Sequence, residues 1–134
     1  TLEGTIVGDV TFDKSSYNAG DTIKASMNVK NTGTRDILSE SVSIKVKVTR
    51  LDNWVANAAL GSKSEDEKTQ TYNFDYTQRI APGGTGTVSA TFKSPKELST
   101  SVGMISLAGD YHVVMTVSIE GKEIGSRELT LTLH

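Results

Sequence analysis

The readiest acid–base groups in this sequence are two histidines and sixteen carboxylates, and the 134-residue chain contains no cysteine. A disulfide framework, a thiolate nucleophile and a thiolate metal site are thereby excluded. Nucleophilic catalysis by a hydroxyl needs a base beside it, and the only imidazoles are His112 and the last residue, His134. His112 falls between Tyr111 and Val113 in an alternating run, which predicts an outward-facing strand histidine without a partnering acid and nucleophile. The acids Asp9, Asp13, Asp21, Asp36, Asp52, Glu65, Asp66, Glu67 and Asp110 sit mostly in turn-like stretches. Turn aspartates usually bond their own backbone, and nothing in the spacing sets two carboxylates across a cleft as glycosidic chemistry requires. A calcium site at one end of the fold would draw on Asp13, Asp21 or Asp110, since calcium accepts loop oxygens. No Asp-x-Asp-x-Asp-Gly loop accompanies them. Gly83-Gly84-Thr85-Gly86 lacks the lysine and following helix of a phosphate loop and reads as a turn between strands. The sequence therefore predicts no catalytic residue, no cofactor and no metal.

The formal net charge is −2. Nucleic-acid binding calls for a basic face that displaces counterions; the nearest approach is the pair Lys45 and Lys47, so no nucleic-acid partner is expected. No apolar run approaches the roughly 18–20 residues needed to cross a bilayer, and Thr1-Leu2-Glu3-Gly4 is not a signal peptide. The expectation is a portion that meets a membrane only through an anchor absent from this sequence.

The elements that would position any site alternate with period two. Seven runs do so: Gly4 to Phe12, Thr22 to Lys30, Val42 to Leu51, Gln70 to Ile80, Thr85 to Lys93, Asp110 to Glu120 and Glu123 to Leu133. In the second, Ile23, Ala25, Met27 and Val29 turn inward while Lys24, Ser26, Asn28 and Lys30 face water. Strands with one apolar face pack as antiparallel sheets face to face. Turn chemistry at Asn18-Ala19-Gly20-Asp21, Asn31-Thr32-Gly33, Pro82-Gly83-Gly84 and Glu120-Gly121-Lys122 separates them. The prediction is one all-β domain over residues 1–134, an immunoglobulin-like antiparallel sandwich of about seven strands. One helical turn is expected near Lys96 to Ser101.

Binding residues are then sought in the long connection Asp52 to Lys68, because excursions of this length in compact domains carry function. It holds the sole tryptophan, and the candidate partner-binding residues are Asn53, Trp54, Val55 and Leu60. Trp54 is open to two readings, a recognition anchor or a plug folded back over the end of the sandwich. The uncharged edges Thr5 to Val7 and Leu129 to Leu133 also make a homodimer an expectation.

The stretch Phe12 to Ile23, with its Tyr17-Asn18-Ala19-Gly20-Asp21 turn, together with Val29-Lys30-Asn31-Thr32-Gly33, resembles prokaryotic extracellular immunoglobulin-like modules of the CARDB type. Ala108-Gly109-Asp110-Tyr111 resembles the penultimate strand of such modules. The soluble domain of archaellum stator proteins is a narrower resemblance. It implies a membrane-anchored module of the cell envelope that binds the surface-layer protein. Arrestin-like proteins also open on Asp-Lys-x-x-Tyr-x-x-Gly-Asp, here Asp13 to Asp21, and normally carry two sandwiches in tandem. These resemblances imply a non-enzymatic module that binds an envelope protein. The alternatives are an accessory carbohydrate-binding or adhesion module of a secreted protein, and an arrestin-like adaptor.

Overall fold

The computed structural model describes residues 1–100 and 103–134. Its elements run β1 (Gly4–Phe12), β2 (Thr22–Asn31), β3 (Glu40–Leu51), α1 (Trp54–Leu60), α2 (Glu65–Lys68), β4 (Thr69–Tyr76), β5 (Thr85–Lys93), β6 (Glu97–Thr100), β7 (Gly103–Ser106), β8 (Gly109–Ile119) and β9 (Lys122–Leu133). Seven of these strands form two packed sheets, one ordered β1-β2-β5 and the other β4-β3-β8-β9, and β6 with β7 makes a separate hairpin. The six strand pairings among the described residues are antiparallel, as the alternating runs require, and an isolated bridge between Tyr17 and Leu133 is parallel.

Cross-strand register keeps the apolar residues on one face. Ile23 faces Phe92, Ala25 faces Ala90 and Met27 faces Val88 in the first sheet. In the second, Val42, Ile44 and Val46 of β3 face Val117, Met115 and Val113 of β8. Ile23, Met27, Ile44, Met115 and Ile119 are fully buried in the resulting core. Burying a side chain of that size contributes about 1.5–3 kcal/mol, so the inner faces of β2, β3, β5 and β8 hold the sheets together. A one-residue slip would turn each of these faces to water.

Two irregularities shape the ends of the sandwich. The β1–β2 register shifts between Val7 and Thr11, around Gly8 at φ 76°. The β3–β8 register shifts between Val48 and Arg50, which turns Leu51 inward against Gly109. Glu120 (φ 45°) and Gly121 (φ 84°) form the two-residue turn joining β8 to β9, with positive dihedrals at both centres as this hairpin demands.

Several expectations need correction. The turn expected near Lys96 to Ser101 is a strand: Leu98 pairs with Ile105 and Ser99 with Met104, and Ser101 itself lies outside the described residues. Ser94-Pro95 mimics a helix start, but Ser94 is buried and its hydroxyl bonds Asp21 O at 2.7 Å, which fixes the stem of a hairpin. The fourth run stops at Tyr76; Ile80 leaves β4 and pairs with Ile37 in an isolated bridge. The connection from Asp52 to Lys68 is not irregular but carries α1 and α2. The outer edges of β1 and β9 face each other, and Arg127 of β9 donates from Nε to Gly8 O (3.3 Å) and from Nη2 to Ile6 O (3.4 Å). Edge-to-edge pairing at these strands would have to displace that guanidinium, which weakens the expectation of a homodimer there.

Candidate protein-interaction site

Asn53 ends the β3 excursion and starts α1. Its Oδ1 accepts from the backbone N–H groups of Val55 (3.0 Å) and Ala56 (3.1 Å), the arrangement of an N-cap. Asn57, one turn on, accepts from Leu51 N at 3.0 Å and ties the helix to the end of β3. Ser64 and Glu67 form a reciprocal capping box that starts α2, and Glu65 of α2 pairs with Lys47 of β3. These bonds hold the two helices over the end of the four-stranded sheet. On the other side, Leu107 N donates to Lys96 O at 3.0 Å and closes the stem of the β6–β7 hairpin.

Between the helices and the hairpin lies a cleft of about 620 Å³. Its walls are mostly apolar, with Val46, Val48 and Leu51 from β3, Tyr72 and Phe92 from the facing sheets, Leu60 from α1, and Leu98 and Ile105 from the hairpin, and Lys63, Glu67, Lys68, Thr69 and Gln70 supply a polar side. Tyr72 and Phe92 stack with ring centroids 5.2 Å apart, one ring from each sheet. Tyr111 donates to Leu107 O at 2.6 Å, and burial pushes its phenol up to about 12, so it remains a neutral donor across the physiological range. Leu98 is an exposed member of this lining, while Trp54 (81% exposed), Val55 and Met104 are exposed on the same helix and hairpin outside the lining.

The four sequence-predicted residues thus separate by role. Leu60 packs against the core together with Ala56. Asn53 is a helix cap. Trp54 and Val55 project to solvent. Trp54 is no plug; Ala56 and Leu60 do that packing from the opposite face of the same helix. The reading from sequence missed Leu98 and Met104, which sit on the hairpin expected to be a helical turn.

The aspartates considered for calcium are engaged by protein donors. Asp13 accepts the Tyr17 hydroxyl, which holds its carboxyl below the usual range. Asp21 accepts from Asn18 N at 2.9 Å. Asp110 bonds Arg50 Nε (2.9 Å) and Thr132 Oγ1 (2.8 Å), and is likewise held low. Among the described residues, no group of three or more His, Cys, Asp or Glu side chains gathers where a metal could be held. No helix there is long and apolar enough to cross a membrane. His112 stands on the outer face of β8, in register with Lys47 and Thr130.

Residues 2–134 match the profile of the arrestin (or S-antigen) C-terminal domain. The chain belongs to that family. Arrestin-like domains have a β-sandwich adaptor fold, and the match supports the arrestin-like resemblance drawn above. Nothing in the match points to CARDB-type or archaellum stator modules in particular. No curated protein matches the chain.

Among solved structures, the domain is similar to the C-terminal domain of Wzt (TM-score 0.63, 10% identity, 100% of this chain and 75% of that one). It is also similar to part of the β-glucosidase EmGH1 of Erythrobacter marinus (TM-score 0.63, 15% identity, 99% of this chain and 16% of that one). A third likeness is to part of the Pseudomonas fluorescens alkylpurine DNA glycosylase AlkC (TM-score 0.55, 14% identity, 97% and 30%). At these identities the likeness is one of fold. The arrestin-type sandwich spans less than a third of the last two chains.

Proposed function

We propose that this arrestin-family domain is a non-enzymatic binding module that takes an apolar protein segment into the cleft between α1–α2 and the β6–β7 hairpin. The observation that carries the reading is a mostly apolar cleft with the exposed Leu98 in its lining, flanked by a helix and a hairpin that also expose Trp54, Val55 and Met104. Large exposed apolar patches on a soluble fold mark interaction sites, and tryptophan is the side chain most enriched among interface anchors. The polar outer faces of the sheets, with Lys45, Thr71, Glu128 and Thr130 exposed, offer no comparable anchor. Membership in an adaptor family supports the same class of function. The reading applies equally to a partner in the cell envelope, such as a surface-layer protein, and to one elsewhere.

The test is the double variant Trp54→Ala/Leu98→Asp in the full-length protein. Both side chains are exposed, so the melting temperature should move little, as surface substitutions usually change stability within about 0.5 kcal/mol. Affinity for the co-purifying partner should fall at least about tenfold, because each anchor is worth 1 kcal/mol or more. Unchanged partner binding by the folded variant rejects the cleft as the docking site.

A further inference from the structure

β3 has its other end, eleven residues before Leu51, at Glu40, and the packing there is anomalous. Glu40 is 2% exposed, yet neither of its carboxylate oxygens has a hydrogen-bond partner. Buried polar groups are ordinarily paired. Asn31, buried at the same end, shows the norm: its Nδ2 donates to Arg35 O (2.8 Å) and Ile80 O (2.9 Å), and its Oδ1 accepts from Gly33 N (2.9 Å).

Glu40 lines a cavity of about 390 Å³ together with Ser39, Ser41, Asp75, Tyr76, Thr77 and Glu120. The Glu120 carboxylate is oriented from behind by Arg35 Nη2 (2.6 Å) and Leu38 N (3.3 Å). Arg35 neutralises Glu120 but makes no bond to Glu40. The lining of the cavity therefore holds three carboxylate residues, Glu40, Asp75 and Glu120, with several hydroxyls and no lysine or arginine. Burial first, then the charge of Glu120, pushes Glu40 up to about 7. Its remaining charged or titratable neighbours are Asp75 and Tyr76 of β4.

We propose that this cavity is a binding site for a primary ammonium group, seated between the carboxylates of Glu40 and Glu120. Three N–H donors on a unit charge match a pocket of acceptors, and a cation between the two carboxylates turns their repulsion into attraction on both sides. A divalent metal fits less well, because Glu40, Asp75 and Glu120 do not gather into a group that could hold one. The ammonium can belong to a free alkylamine or to a lysine side chain of a protein. Binding requires ionised Glu40, so it strengthens as pH rises through neutrality and fades below it.

The experiment is a chemical-shift titration of the ¹⁵N-labelled protein in amine-free phosphate buffer at pH 8. The probes are propylammonium chloride and Nα-acetyl-lysine N-methylamide, with tetramethylammonium and calcium chloride as controls. The expected result is saturable shifts at Ser39 to Ser41 and Ile119 to Gly121 with at least one of the two amines, at least tenfold weaker in Glu40→Gln and at pH 5.5. Preference for propylammonium identifies a free-amine site, and preference for the lysine analogue a docking point for a protein lysine. The inference is overturned by the absence of saturable shifts with both amines, by equal binding to Glu40→Gln, or by calcium or tetramethylammonium binding as well as the amines.

Discussion

In amine-free buffer at pH 8.5, Glu40→Gln should be more stable than the parent by about 3 kcal/mol, and at pH 4.5 the two should unfold together. Glu40 titrates near 7 in the fold, against an ordinary value of 4.5. The folded state thus holds a proton that the unfolded chain has released, and folding is favoured where both forms are protonated. That stability is fully present below about pH 4.5 and is lost as pH rises through 7. A displacement of 4.5 to about 7, at 1.36 kcal/mol per unit, is about 3 kcal/mol. Glutamine has the shape of the neutral acid and cannot ionise, so it escapes the loss. Asp13, Glu65, Glu67 and Asp110 act in the opposite sense, because hydrogen bonds and nearby cations hold them low. Their contribution is lost only as pH falls into the acid range, so urea denaturation between pH 5 and 8.5 isolates Glu40. Parent stability that does not fall over that interval would show that Glu40 is solvated or partnered.

Gly109→Ala should cost about 2 to 6 kcal/mol. Gly109 begins β8 opposite Leu51, where the bulge of β3 brings two backbones together. A Cβ at Gly109 would stand 2.1 Å from Arg50 O and 2.8 Å from Leu51 Cα, and the residue has φ 154°, outside the usual range of side-chain-bearing residues. Both obstacles are backbone, which cannot rotate aside as a flexible side chain can. Overpacking of this kind costs roughly 1–3 kcal/mol and a disfavoured dihedral another 1–3 kcal/mol. Chemical denaturation of the variant reads the sum. A loss under 1 kcal/mol would mean that the β3–β8 junction relaxes and the bulge is soft. The same junction forms the floor of the cleft through Leu51 and Tyr111, so this glycine also sets the shape of the candidate site.

The strands were legible because a two-residue rhythm follows from one wet and one dry face. Ile23 to Val29 and Val42 to Val48 could be assigned without knowing their neighbours. Sheet order was not legible, since whether β2 lies between β1 and β5 depends on contacts that no local pattern encodes. α1 and α2 were passed over although Ser64-x-x-Glu67 is a capping box, because two short helices inside a polar excursion carry little apolar periodicity. The β6–β7 hairpin was misread because four-residue strands are too short to show a period. Glu40 stands in phase with Val42, Ile44 and Val46, so its burial could have been inferred by extending the rhythm one step back. Its lack of a partner could not, because that depends on β8 bringing Glu120 rather than a cation to the same place. Trp54 and Val55 were singled out by type and position, while the exposure of Leu98 and Met104 on a hairpin required the tertiary fold.

The most direct test of the binding end is photo-crosslinking in the full-length protein in its native cells. A benzophenone amino acid would replace Val55, Leu98 or, on the outer face of β9, Thr130. The same partner peptide should be captured from positions 55 and 98 and not from 130, with capture abolished by Trp54→Ala in the position-98 background. Capture from 130 alone, or no adduct at 55 and 98 while the partner still co-purifies, would place the interface on the sheet face and contradict the account.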